Sequence, residues 1–337
     1  MKRALRLILI GAIVSMLAVG GVSVWALQAK STDFAFVPRA AQPTLGAVKL
    51  EDEKLPPKDA GRVFFTTIGV RHATVWETWF GVGGGGELVP EHAVRPDGES
   101  DQERTRLDAE AMDSSQDAAT VVGLRALGYP VEVEAVGVQI AGMDASTPIA
   151  KDGAELGDLI LKAAQRPVTT VASLRTIIAD VGADRPVALD VHRNGDVRTI
   201  DTATIAGAND RPILGIRPAQ ANTINAPRQV TYAIEGVGGP SAGLAFALQI
   251  YSAGKGYANL HGLRVAATGS LSMAGTVGPI GGVAEKAIGA RRAGADIFLV
   301  PKANAAAARA AGVQDLTIIP VENFTQALRA IAETPRP

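Results

Sequence analysis

The stretch Gly236-Val237-Gly238-Gly239-Pro240-Ser241-Ala242-Gly243, followed at once by the apolar run 244–250, governs how the rest of the chain is read. Four glycines and a proline surround one serine, so the backbone can turn sharply where an alanine-rich helix begins. Gly238 and Gly239 shape that turn, and Ser241 falls at the helix N-terminus. Two readings of Ser241 are open at this point. Its hydroxyl can cap the helix by satisfying an orphan N–H of the first turn. It can also act as a nucleophile, because the same helix end offers N–H groups and a positive dipole to an oxyanion forming beside the hydroxyl.

A nucleophilic serine needs a base. The four histidines, His72, His92, His192 and His261, stand in no recognisable constellation with a carboxylate, and no His-Glu-x-x-His motif occurs. Histidine triads and zinc peptidases lose ground accordingly, and no metal or cofactor is expected. Lysine can serve if burial keeps it neutral near the working pH. The best placed is Lys286, in Gly278-Pro279-Ile280-Gly281-Gly282-Val283-Ala284-Glu285-Lys286-Ala287-Ile288. A helix starting after Gly282 puts Lys286 on one face with Val283, Ala290 and Ala293, with Glu285, Arg291 and Arg292 mostly elsewhere. Burial on that small apolar face depresses its pKa. The alternative is a surface lysine whose stem crosses the apolar stripe.

These motifs carry a resemblance. Gly239-Pro240-Ser241-Ala242-Gly243, then Thr268-Gly269-Ser270, then residues 275–286 ending in Ala284-Glu285-Lys286, resemble the proteolytic domain of the Lon family. The resemblance implies that Ser241 attacks the peptide and that Lys286 is its base, a Ser-Lys dyad. It also implies that Thr268, on the intervening strand, orients the lysine; taken alone, Thr268 reads equally as a β-branched strand residue. Many ATP-dependent Lon proteases carry an acidic residue three before the serine, where this chain has Gly238. The Val237-Gly238-Gly239-Pro240-Ser241 form instead resembles the membrane-anchored, PDZ-containing Lon-like proteins of Gram-positive bacteria. Lon-type domains commonly form rings, so the resemblance also implies a possible homo-oligomer.

Across 337 residues, 47% hydrophobic, the chain can bury more than one core, and two domains are expected. Its 33 basic and 34 acidic residues show no global charge that would draw nucleic acid. Cysteine is absent, which excludes disulfides and thiol catalysis. Lys2, Arg3 and Arg6 precede an uncharged apolar run over residues 7–27, long enough to cross a bilayer. With the basic end cytoplasmic, a single-pass anchor within residues 1–30 puts the rest outside, at the cell membrane. A cleaved signal peptide is the rival, with a normally shorter apolar core.

Residues 31–60, with Pro38, Pro43, Pro56 and Pro57, read as a linker. Residues 62–70 are rich in β-formers and read as a strand, residues 74–80 as a short helix with Trp76 and Trp79, and 83–86 as a glycine loop. No Walker A sequence follows that loop or occurs elsewhere, so no nucleotide is expected. Without its own ATPase, such a protease is expected to cut unfolded or flexible segments. A helix over 107–127, ending at Gly128-Tyr129-Pro130, resembles the one that precedes the active-site motif in Lon proteolytic domains.

From Val131 the texture changes to short strands, with a helix over 171–181 and a hairpin turned by Asn194-Gly195 between strands 186–193 and 196–200. Residues 129–206 resemble a PDZ domain, a module that usually takes a peptide as an added strand. A packing module without a ligand is the alternative. Gly128, Tyr129 and Val131 are the candidates for its carboxylate-binding loop. The remainder alternates strand and helix, an α/β layout. The expected architecture is an α/β (α+β) Lon-type proteolytic domain from 61–128 and 207–333, interrupted by the PDZ-like β-rich module and preceded by one transmembrane helix. A serial order of domains is the alternative. The expected function is ATP-independent serine endopeptidase action on extracytoplasmic protein; the rival is a non-catalytic envelope scaffold that binds C-terminal tails.

Overall fold

Four short apolar segments, Arg62–Phe65, Arg264–Ala267, Ile297–Pro301 and Thr317–Val321, lie side by side in parallel. Every residue of Ile297–Pro301 is buried, as expected of a central parallel strand covered on both faces. The computed structural model describes residues 15–336 except 18 and 96–100. Within it the chain divides into two units, one from the residues up to Leu127 together with those from Arg228, the other Gly128–Pro227. The second unit therefore interrupts the first in sequence.

In the first unit the parallel strands form a five-stranded sheet, with Gln42–Pro43 added antiparallel on the edge beside Arg62–Phe65. The long helix Asp101–Ala126 packs against the helix Gly243–Gly254, which is buried on nearly every side. The approach is close: a Cβ on Gly123 would stand 2.8 Å from the Cβ of Ile250. Val283–Arg292 and Ala305–Ala310 cover the sheet through Val283, Ala287, Ala290 and Ala308, which cluster with Phe298 of the central strand.

Two expectations are corrected here. Residues 31–60 do not form a free linker, because Lys30–Pro38 pairs with Ile68–Thr74 and with Glu87–Val89 in a three-stranded sheet. Val48–Leu50 likewise pairs with Val230–Tyr232, and Val48 and Leu50 are fully buried. Prolines at strand ends do not prevent pairing where their missing N–H faces away from the ladder. Nor is 62–70 one strand: the chain leaves the parallel sheet after Phe65 and enters the antiparallel one at Ile68. The β-forming composition is common to both, and only the partners differ.

The second unit is a sheet in the order Asp196–Ala203, Pro186–Arg193, Leu159–Ala163, Glu132–Met143, Ile216–Asn225, packed on the helix Val171–Val181. Asn194 and Gly195 both take positive φ in the hairpin turn. Ile216–Asn225 pairs with Glu132–Met143 along ten residues, so this unit extends past 206 to 227. Its polar sequence hides a strand that sheet pairing makes.

Among the described residues no helix is long and apolar enough to cross a membrane. The expected span 7–27 lies partly outside the described residues, at 7–14 and 18.

Candidate active site

Gly239 carries φ 85°, a left-handed conformation that glycine adopts without strain, and the chain then winds through the short 3-10 turn Pro240–Ala242 into Gly243–Gly254. Gly238 answers a different need. A Cβ there would sit 2.7 Å from the Cβ of Asp108 on the long helix, whose carbonyl accepts from the Gly239 N–H at 2.7 Å. The Ser115 hydroxyl donates to the Pro240 carbonyl at 3.1 Å. The turn is thus held by the long helix, and Ser241 is presented partly exposed at its tip.

The capping reading of Ser241 can now be checked. Neither the 3-10 turn nor the following helix starts with a side-chain cap hydrogen bond. The Ser241 hydroxyl instead stands 2.6 Å from Nζ of Lys286. Lys286 lies one turn into Val283–Arg292, is 4% exposed, and faces the serine from a helix whose other buried residues include Val283, Ala287 and Ala290. Among the described residues no carboxylate pairs with it. Burial alone lowers its pKa from 10.5 to about 7, because a charged amine loses hydration there without gaining a counter-ion.

Thr268 follows the last residue of the strand Arg264–Ala267 and is fully buried. Its hydroxyl donates to the Ser241 carbonyl at 3.1 Å, which turns an oxygen lone pair toward Nζ of Lys286 at 3.4 Å. The Gly269 N–H donates to the same carbonyl at 2.8 Å. Ser241, Thr268 and Lys286 therefore converge from three elements at the carboxyl end of the parallel sheet, where α/β folds place their sites.

Glu285 departs from expectation. It is 2% exposed, with Oε2 lacking a hydrogen-bond partner. Burial pushes its carboxyl pKa up, and the nearby Glu87 adds to the rise. The helix is covered on two sides, by the Lys30–Pro38 strand and by Ala305–Ala310. A single apolar stripe in the sequence does not reveal a second covered side.

Residues 233–333 match the family model described as the Lon protease (S16) C-terminal proteolytic domain, and residues 125–204 match a PDZ domain model. A Lon-type proteolytic domain and a PDZ domain are both present. Similar curated proteins include the Lon protease of Chloroflexus aurantiacus and Lon protease 1 of Bacillus subtilis, each 46% identical over 66 residues. Both matches span 20% of this chain and 8% of the relative. The magnetosome formation protease MamE of Paramagnetospirillum magneticum is 41% identical over 64 residues, 19% of this chain and 9% of that protein. The chain thus spans less than a tenth of the length of these relatives. Among solved structures, the PDZ domain of an SdrC-like protein from Listeria monocytogenes is 18% identical, covering 25% of this chain and 88% of that one, with a TM-score of 0.24. Its counterpart from Listeria innocua is 17% identical, covering 24% and 92%, with a TM-score of 0.23.

In the PDZ unit, Gly128, Tyr129 and Val131 lead into Glu132–Met143, a strand that has Ile216–Asn225 alongside it from end to end. The edge position belongs to Ile216–Asn225, which lies beyond the matched PDZ residues. It runs beside the start of the helix Val171–Val181: Gln220 accepts from the Val171 N–H at 3.2 Å and donates to the Thr169 carbonyl at 2.9 Å. The three candidate loop residues precede Glu132, whose register partner is Asn225 at the end of that edge strand. The sequence signal was faint, a Leu214-Gly215-Ile216 step with Leu214 buried ahead of a polar strand.

Proposed function

We propose that the chain is a Lon-type serine endopeptidase in which Ser241 is the nucleophile and Lys286 the general base. The observation that carries this reading is a buried amine, without an acidic partner among the described residues, 2.6 Å from a serine hydroxyl at a helix start. In its neutral form Lys286 accepts the hydroxyl proton as Oγ bonds to the scissile carbonyl carbon. The Ser241 N–H and the helix end stabilise the oxyanion. The resulting ammonium returns the proton to the leaving amine; a water, activated by the same lysine, then hydrolyses the ester. Thr268 positions the amine. A scaffold that only binds gives no reason to bury a lysine at a desolvation cost with no counter-ion.

The substrates proposed are unfolded or flexible protein segments, cut without ATP, since the chain carries no nucleotide motif of its own. A peptide end enters the PDZ unit as an added strand along the outer edge of Ile216–Asn225, beside Val171–Val181. Residues 7–27 anchor the chain in the cell membrane with both domains extracytoplasmic, and homo-oligomers form. The test is hydrolysis of an unfolded protein without ATP or metal, by the full chain and by folded Ser241→Ala and Lys286→Ala variants. Cleavage lost in both variants supports the dyad. Cleavage retained in either, or absent from the wild type across pH, overturns it.

A further inference from the structure

The three tryptophans of the chain are Trp25, Trp76 and Trp79. Two of them belong to Val75–Phe80, a helix that is capped like any stable helix yet buries no residue. Thr74 accepts from the Glu77 N–H at 3.2 Å and the Glu77 carboxylate accepts from the Thr74 N–H at 2.9 Å, a full capping box. Val75 and Trp79 stack one turn apart, as do Trp76 and Phe80, so four large apolar side chains share one side. Trp76 packs on Phe80 with ring centroids 4.3 Å apart, while Trp79 is 56% and Phe80 66% exposed. An amphipathic helix of a water-soluble surface turns such a side inward. This one half-buries Val75 and Trp76 but leaves Trp79 and Phe80 uncovered.

Its place in the fold says what covers it. The Val75 N–H donates to the Ala29 carbonyl at 2.9 Å, and Lys30 is in register with Thr74. The helix is thereby stapled to the point where the apolar run 7–27 ends. Residues 19–28 are helical, and Val19, Val22, Val24, Trp25 and Leu27 are all more than half exposed. The one acid of the short helix, Glu77, is neutralised by Arg71 at 2.5 Å. Lys30, exposed, flanks the same junction with charge suited to anionic headgroups.

We propose that Val75–Phe80 is an interfacial helix whose Trp79 and Phe80 enter the bilayer that residues 7–27 anchor to. This rests on the anchor reading above. Aromatic residues favour the membrane–water boundary, where an amphipathic helix sits about 5–10 Å into the headgroup and acyl region. The contact gives the proteolytic domain a second attachment to the surface and so limits its rotation about the anchor.

Because the chain has no cysteine, Trp79→Cys, Phe80→Cys, Trp25→Cys and Val197→Cys each give a single nitroxide site in the full chain. The labelled proteins are reconstituted into vesicles of phosphatidylethanolamine and phosphatidylglycerol, and collision with oxygen is compared with collision with a water-soluble nickel chelate. Labels at 79 and 80 are expected to favour oxygen, as at 25, whereas the label at 197, on an exposed PDZ strand residue, favours nickel. Labels at 79 and 80 that behave like 197 while 25 favours oxygen overturn the proposal and leave the anchor standing. Nickel preference at 25 as well overturns both. Spin–spin broadening at 79 or 80 that disappears on dilution with unlabelled protein assigns the surface to a second copy, which also overturns the proposal.

Discussion

Each unit of the molecule draws a cation out of water, and the two do it in opposite ways. In the PDZ unit Arg193, on the strand Pro186–Arg193, donates to both oxygens of the buried Asp158 at 2.6 Å each, to Glu155 at 2.5 Å and to the Gly153 carbonyl at 2.8 Å. Those acids raise the guanidinium pKa further, so the charge is permanent. In the proteolytic unit Lys286 is as well hidden, but its hydrogen-bond partners among the described residues are hydroxyls, and its pKa falls. A paired buried charge holds a fold together; an unpaired buried amine costs stability and is left with a usable lone pair.

The largest effect expected from this contrast is on catalysis. Lys286→Met removes the lone pair while filling the same volume, and peptide hydrolysis should fall by roughly 10⁴-fold or more, as when one member of a catalytic pair is lost. Single-turnover cleavage with circular dichroism as the folding check would show it. A variant within tenfold of wild type would mean that the buried amine is structural.

The same two cations should move stability in opposite directions. Arg193→Ala strands the Asp158 carboxylate and should cost about 3–5 kcal/mol in denaturant unfolding, with the Ser241–Lys286 chemistry still present in the folded fraction. Lys286→Met should stabilise instead. The sign follows from linkage. The unfolded lysine keeps its proton up to its ordinary pKa of 10.5, whereas the folded one loses it near 7. Between these values the unfolded state binds more protons, so wild-type stability rises with pH across that window. The gain from Lys286→Met should be on the order of 3–4 kcal/mol at neutral pH and vanish above pH 10.5. Equal stabilities at pH 7 and 10 would break the comparison.

A smaller effect is the pH–rate profile. If Lys286 is the base it works unprotonated, so kcat/KM should climb with unit slope on a log scale and level off above about 7, its folded pKa. A profile that falls across this range contradicts the assignment. The smallest is Thr268→Val, which removes the oxygen beside Nζ and should slow turnover by about fivefold, in line with a net hydrogen bond of ~1 kcal/mol. Thr268→Ser should restore the rate, which a loss of packing alone would not predict.

What could be read from the residues in order was local. The turn at Gly239, the helix Val171–Val181, the Asn194-Gly195 hairpin and the strand Ile297–Pro301 are written in backbone preference and in the spacing of apolar side chains. The reagents, a serine at a helix start and a lysine on an apolar face, were visible for the same reason. Pairing was not visible. Residues 31–60 read as a linker and hold paired strands, Ile216–Asn225 fell within the stretch assigned to the proteolytic domain and is a sheet edge of the other unit, and Glu285, mostly off the apolar face, is buried. Each depends on a partner distant along the chain, which neighbouring residues do not encode. So it is with the site itself: composition and periodicity specify that a hydroxyl and an amine exist, but only the folded sheet brings Nζ to 2.6 Å from Oγ and removes the water that would keep that amine charged.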